Sequence, residues 1–284
     1  MQDSAPVVAE RKGAGITQGW LLLGVGLAML AAMLVLTIFA PLVAPYDPSV
    51  TSPDSLAPAS AAHWLGTDSI GRDVLSRLIV GGRTTLLITV SAVLVALVAG
   101  LILGLAAGYL GGRTDEIIMR LLDVVFAFPV LLLAIAVVAA LGPSVPNLIL
   151  TIAIVYTPAM ARVVRAPVLS VKQWDHVEAA RSVGMSEMRL VLRHILPIVV
   201  SPILVATSLT LSQTIFTVTA LSFLGLGPPP PDPNWGGMLS EARQFMELAP
   251  LTVVGPALAI VFATLTFIII ANGLREVLDV GSVR

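Results

Sequence analysis

The 284 residues contain three histidines, His63, His176 and His194, and no cysteine. Without cysteine there can be no disulfide, thiolate-bound zinc, iron–sulfur cluster or thiol nucleophile. The histidines are expected on different sides of a membrane, His63 apart from the other two, which is too scattered for a metal centre. There is no Walker-type phosphate loop and no GxGxxG turn in the required setting, so ATP chemistry would need another chain. The most informative stretch is 174–197, WDHVEAARSVGMSEMRLVLRHILP. Asp175 followed by Glu178 has the form of a capping box and predicts a helix from His176. Gly184 suits a left-handed stop. Ser186 is placed to cap a second short helix with Met188, Val191, Leu192 and Ile195 on one face, before Pro197 begins the next apolar run. Two short helices joined at a glycine could dock against a partner; the pattern alone leaves a plain solvated connector equally open.

Two further sets of residues could act inside an apolar environment. Asp123 lies one turn beyond Arg120, a spacing that lets the pair lower the cost of charge near a membrane interface. No chain of carboxylates follows it, which argues against a proton relay. Ala206, Thr210, Gln213, Thr217 and Ala220 form a mildly polar stripe, read as the lining of a translocation path, with helix–helix hydrogen bonding as the competing reading.

The elements that must carry these residues follow from composition. The chain is 57% hydrophobic and 12% charged, with a mean hydropathy of +0.96, whereas soluble domains are roughly a quarter charged. A net charge of −1 gives no electrostatic case for nucleic acid; lipid is the expected surrounding. Apolar runs at 20–43, 85–110, 117–141, 147–170, 198–225 and 249–272 predict six membrane spans. The first is too long for a signal-peptide core and lacks a convincing cleavage site. Placing both termini in the cytoplasm puts twelve of the sixteen basic residues inside, Arg162 and Arg165 included, which is the bias of the positive-inside rule. The chain thus divides into an N-terminal tail (1–19), a first span with an outer block (20–84) and a five-span core (85–284) carrying the cytoplasmic 174–197 loop.

Within the second span Ala92, Ala96, Gly100, Gly104 and Gly108 recur every fourth residue and predict a face for close helix packing. Pro129 predicts a kink in the third span. Val74, Leu75, Leu78 and Ile79, with Arg72, Asp73, Ser76 and Arg77 between them, predict a short amphipathic helix lying on the membrane surface. The prolines of 227–235 predict a stiff irregular stretch. Trp20, Trp64, Trp174 and Trp235 all fall near span ends, where an interfacial belt is expected.

Three blocks carry a resemblance. Glu178-Ala179-Ala180, then Gly184, then Leu196-Pro197 resembles the EAA loop of ABC-importer permeases. His63, Leu65-Gly66-Thr67-Asp68, Gly71-Arg72-Asp73, Ser76-Arg77, Gly81 and Arg83 form a second block, and Leu221-Ser222-Phe223-Leu224-Gly225-Leu226-Gly227, Pro230 and Trp235-Gly236 a third. Together they resemble the C-type permease subunit of dipeptide, oligopeptide or nickel importers. Val218 and Asn272 stand where such chains commonly carry an acid. The resemblance implies an all-α, six-span fold of the type I importer class in a bacterial inner membrane. It also implies a transport subunit without catalysis or bound cofactor of its own. Its partners would be a second, B-type permease, two ATPase subunits that bind ATP and Mg, and an extracytoplasmic binding protein. Coupling to the ATPases would fall to Glu178, Ala179, Ala180, Gly184, Leu196 and Pro197. Di- or oligopeptides are the expected cargo, nickel the alternative within the family, and an ion-driven secondary transporter the alternative outside it.

Overall fold

A computed structural model describes residues 5–281, and the side chains of 17–278; the ends of the N-terminal tail and the side chains of Arg11 and Lys12 lie outside these. The regular elements of the described residues are helices, linked by irregular segments of which 44–73 is the longest. The long helices are α1 (Ala5–Ile38), α3 (Val74–Leu110), α6 (Val145–Val171), α9 (Leu196–Leu221) and α11 (Leu251–Gly281), and α2 (Ala40–Val43) is a single turn after α1. Five helices are long and apolar enough to cross a membrane.

The third expected span, 117–141, is not one kinked helix. It is broken into α4 (Gly112–Phe126) and α5 (Val130–Leu141), which meet at 85°. Pro129 has no N–H to continue the ladder and disfavours helix in the residue before it, so the chain leaves the helix at Ala127 and restarts after Pro129.

Packing runs from helix to helix as α1 on α11, α11 on α9, α9 on α6 and α6 on α3, with α3 and α6 in the most extensive contact. The small residues of α3 lie in that contact, where Ala92, Ala96, Gly100, Gly104 and Gly108 are all buried. A methyl group on Gly100 would sit 2.4 Å from Met160 Cβ, and one on Gly104 would sit 2.5 Å from the Ala161 carbonyl oxygen. Backbones this close leave no space for a side chain, and that closeness is what lets two helices in lipid gain dispersion contact. The core beside it holds Ile88, Leu148, Ile152, Tyr156, Val218 and Leu221.

The amphipathic surface helix expected at 74–79 does not exist as a separate element, since those residues are the first turns of α3. Arg72, Ser76 and Arg77 are buried rather than solvated, because each finds a partner in the block before α3 or in α10 (Trp235–Ala242). Trp235 is likewise buried and its indole N–H donates to the Leu78 carbonyl at 2.9 Å. It belongs to the core and not to an interfacial belt, whereas Trp20, Trp64 and Trp174 are exposed.

The close contact makes a direct prediction. Gly104→Ala should destabilise the detergent-solubilised chain by about 1–3 kcal/mol, the usual range for overpacking a tight contact. Gly24→Ala, whose methyl group meets nothing within 4 Å, should leave the unfolding midpoint unchanged or slightly raised, since alanine is the better helix former. A denaturant titration of the two variants decides it.

Candidate functional site

At the end of the bundle beyond Tyr109 and Val171, the chain forms α7 (Asp175–Ser182), turns at Gly184, and enters α8 (Glu187–Leu190), which passes through a π-helical turn (191–195) into α9. The sequence places the two short helices and the Ser186 N-cap position correctly, but not the cap of α7. Trp174, not Asp175, is the N-cap of α7, and neither it nor Ser186 makes a side-chain cap bond. The stop at Gly184 is a full Schellman turn, with φ +80°, Gly184 N–H donating to Arg181 O at 3.0 Å and Met185 N–H to Ala180 O at 3.3 Å.

One side of this element is anchored. Val177, Leu190 and Ile195 are buried in the cluster that also holds Val164, Val168, Val171 and Val199, so α7 and α8 ride on the ends of α6 and α9. The expected face of Met188, Val191, Leu192 and Ile195 is split. Ile195 is buried, but Met188 is 71% and Leu192 54% exposed. A π turn takes more residues per turn than an α turn, so the phase of the stripe shifts across 191–195 and Leu190 takes the inner position instead. Val183, Met188 and Leu192 are left as an apolar, outward-facing surface, with Glu178 and Ala179 also exposed beside Gly184.

Tyr109, at the end of α3, joins this element to the bundle. Its hydroxyl contacts the Glu187 carboxylate and accepts from Arg181 at 3.4 Å, while Lys172 Nζ donates to Gly108 O at 2.7 Å. His176 and His194 come together with ring centroids 6.2 Å apart, and Trp174 stacks edge-on against His176. His63 is at the opposite end of α3, where its Nδ1 lies 2.8 Å from Asp73.

The stripe read as a path lining divides. Thr210 and Thr217 are buried, and Thr217 shares a 2.9 Å hydrogen bond with the Tyr156 hydroxyl, joining α9 to α6. Gln213 is exposed, next to the exposed ring of Phe216. Asp123 does not pair with Arg120, which reaches only Glu116, at 4.0 Å. Asp123 pairs with Arg162 of α6 at 2.5 Å, and Asp115 pairs with Arg165 in two bonds of 2.5 Å.

At the far end, the block 44–73 and α10 meet α3 in a buried charge network that sequence reasoning missed. Asp68 accepts from Arg72 Nε at 2.7 Å and from Arg77, and the Glu241 carboxylate lies 2.8 Å from Arg72 and 2.9 Å from Arg77. Asp73 accepts from the Ser76 N–H and hydroxyl at 2.8 and 2.7 Å. Two carboxylates facing two guanidinium groups explain how Arg72 and Arg77 can be buried at all. A partial signal was available: no proline stands between Arg77 and Thr85, so the charged turns could continue into the span, although Gly81-Gly82 argues locally for a break.

Burial pushes the Asp68 carboxyl up, but the backbone N–H groups of Arg72 and Ile70, with the Arg77 charge and the Arg72 side-chain bond, hold it below its ordinary 3.8. A depressed folded value means that the stabilisation is complete above the unfolded value and is lost as pH falls through the folded one.

Comparison with known proteins adds identity to this geometry. A family profile described as "Binding-protein-dependent transport system inner membrane component" matches residues 100–281, and one described as "N-terminal TM domain of oligopeptide transport permease C" matches 24–58. The glutathione transport system permease protein GsiD of Pectobacterium atrosepticum is 49% identical over 220 residues, 78% of this chain and 73% of its own. The dipeptide transport system permease protein DppC of Alkalihalophilus pseudofirmus is 43% identical over 90% of this chain and 84% of its own. Among solved structures, an inward-facing MetNI methionine ABC transporter chain superposes with a TM-score of 0.55 at 19% identity, covering 72% of this chain and 96% of that one. A chain of an amino acid ABC transporter gives 0.53 at 20%, covering 67% and 89%; both likenesses concern the fold alone.

The charge network predicts that Asp68→Asn, which leaves Glu241 as the one carboxylate facing two buried guanidinium groups, costs about 1–3 kcal/mol at neutral pH. Thermal melts of the detergent-solubilised chain from pH 7 downward should show the unsubstituted protein losing stability below about pH 4, as Asp68 titrates. The variant, already missing that carboxylate, should lose less over the same range.

Proposed function

This chain belongs to the family of inner-membrane components of binding-protein-dependent transport systems, and from that premise we propose that it forms half of the path of an ATP-driven importer of peptide-like cargo. It is a permease of the ABC-importer type, seated in the inner membrane. Relatives named for glutathione and for dipeptides support peptides over nickel. A second permease completes the path, two ATPase subunits bind ATP and Mg, and an extracytoplasmic protein delivers the cargo. The 174–197 element faces the cytoplasm, as do both termini.

The observation that carries the coupling role is the asymmetry of that element: anchored on the bundle through Val177, Leu190 and Ile195, bare outward at Val183, Met188 and Leu192. An apolar surface of this kind fits a groove on another protein. Ala179, small and exposed, lets α7 lie close to the ATPase surface, and Glu178 offers a charge at the rim. The Ala180 carbonyl closes the Schellman turn at Gly184 by accepting from Met185 N–H, and Leu196, packed against the anchoring cluster, starts α9 with Pro197 in its first turn. When ATP draws the two ATPases together, α7 and α8 move with them. Their attachment to Tyr109, Lys172 and the ends of α6 and α9 passes that movement to the spans, which change the face to which they open.

Gly184→Pro tests this, because proline's φ near −65° is incompatible with the +80° turn. The variant should insert and accumulate while ATP-dependent uptake of tri-alanine falls at least tenfold and less ATPase co-purifies. Glu178→Arg should likewise reduce uptake without loss of membrane-inserted protein. Uptake at the unsubstituted rate in Gly184→Pro would contradict the coupling role.

A further inference from the structure

The break between α4 and α5 falls within the length of one expected span. With 12 residues α5 is about 18 Å long, against roughly 30 Å for the hydrocarbon layer. It runs back along α6, its Ala134 and Val138 sharing a buried cluster with Leu148 and Ile152. The break at 127–129 therefore falls partway down α6, and Arg162 sits about 26 Å from the Val145 end of that helix. Residues 126–130 are exposed, backbone bend included.

Lipid does not tolerate this arrangement. Irregular backbone at membrane depth persists only where it is buried in protein or lines a water-filled cavity. The same place carries charge: the side chains of Arg162 and Asp123 are 41% and 55% exposed, paired at 2.5 Å, and the Arg162 guanidinium lies 4.0 Å over the Phe126 ring. Membrane-embedded ionisable side chains of this kind face a water path or a polar partner. The second pair, Asp115 with Arg165, is less exposed, at 17% and 31%, and already ties α4 to α6. A second exposed pair beside the bend is not needed for that attachment.

We propose that the elbow at 126–130, with Asp123 and Arg162, faces the water-filled path and forms a transit site for the charged ends of a zwitterionic peptide. This deepens the functional reading above and rests on it. Asp123 receives the peptide ammonium group and Arg162 its carboxylate, each exchanging its present partner for a cargo group of the same sign. Phe126 holds the guanidinium plane in place, as an aromatic face does for a cation. The exposed rings of Phe126 and Phe128 and the Leu132 side chain give the site an apolar flank for side chains of varied type. Two charges of opposite sign with apolar surroundings recognise what all peptides share and ignore what distinguishes them.

Because the chain has no cysteine, Phe128→Cys places a single thiol at the elbow, readable as a mass shift on this chain alone. In the full complex, with partner permease, ATPases and binding protein in lipid vesicles, this thiol should react with water-soluble methanethiosulfonates. Asp123→Asn should move the rate ratio toward the anionic reagent several-fold, and Arg162→Gln toward the cationic one. Uptake of tri-alanine should fall about tenfold in Asp123→Asn and recover largely in Asp123→Glu. A thiol unreactive in nucleotide-free and ATP-bound states alike would mean that the elbow is covered by the partner permease, and would overturn the proposal. So would unchanged uptake in Asp123→Asn and Arg162→Gln together, which would make the pair a simple tether. Failure of the unsubstituted complex to take up tri-alanine with ATP would instead overturn the functional reading, and the transit site with it.

Discussion

Lipid gives two apolar helices no solvent-driven reason to associate, so α3 and α6 hold together by the closeness of their backbones. Every fourth residue along that face of α3 is alanine or glycine, and at Gly104 the separation is too small to admit a methyl group. Dispersion contact at such distances, repeated over the length of the helix, fixes the pair as one body. The other working parts are mounted on it. The charge network of Asp68, Arg72, Arg77 and Glu241 closes over the first turns of α3. Tyr109 and Lys172 seal the other end, α4 is pinned to α6 by the Asp115–Arg165 pair, and the exposed 174–197 element grows from the end of α6.

A displacement of α7 and α8 does not dissipate in a loose loop, because Val177, Leu190 and Ile195 are fully buried against α6 and α9. It reaches α4, and so the elbow, through the ion pair between Arg165 and Asp115. Among the described residues the elbow is where two helices that together are long and apolar enough for a span meet at 85°, so a small rotation of α4 is turned there into a large change of direction.

Much of this was legible in the sequence because periodicity and composition are local signals. The apolar runs place the long helices, the four-residue recurrence of small side chains marks the packing face of α3, and Gly184 marks a left-handed turn. The failures share a cause, in that each depended on a partner far away in the chain. Arg72 and Arg77 read as solvated because Glu241, which helps neutralise them, lies on α10. Asp123 was paired with the nearest arginine on its own helix, while Arg162 waited on another. Pro129 announced a bend but not its size, and the face of α8 was misassigned because a π turn leaves no pattern in side-chain type. Tyr109 gave no signal: a lone tyrosine at a span end has the appearance of an interfacial residue.

The central claim is that movement enters the permease through the outward face of the 174–197 element. Cross-linking tests it most directly, using Met188→Cys as the chain's one thiol in the assembled importer. The account predicts a rapid cross-link to the ATPase subunit in nucleotide-free and ATP-bound complexes, with arrest of peptide uptake once a rigid linker is in place and restoration on its reduction. A thiol that never reaches the ATPase, or a complex that keeps transporting at full rate while locked there by the rigid linker, would contradict it.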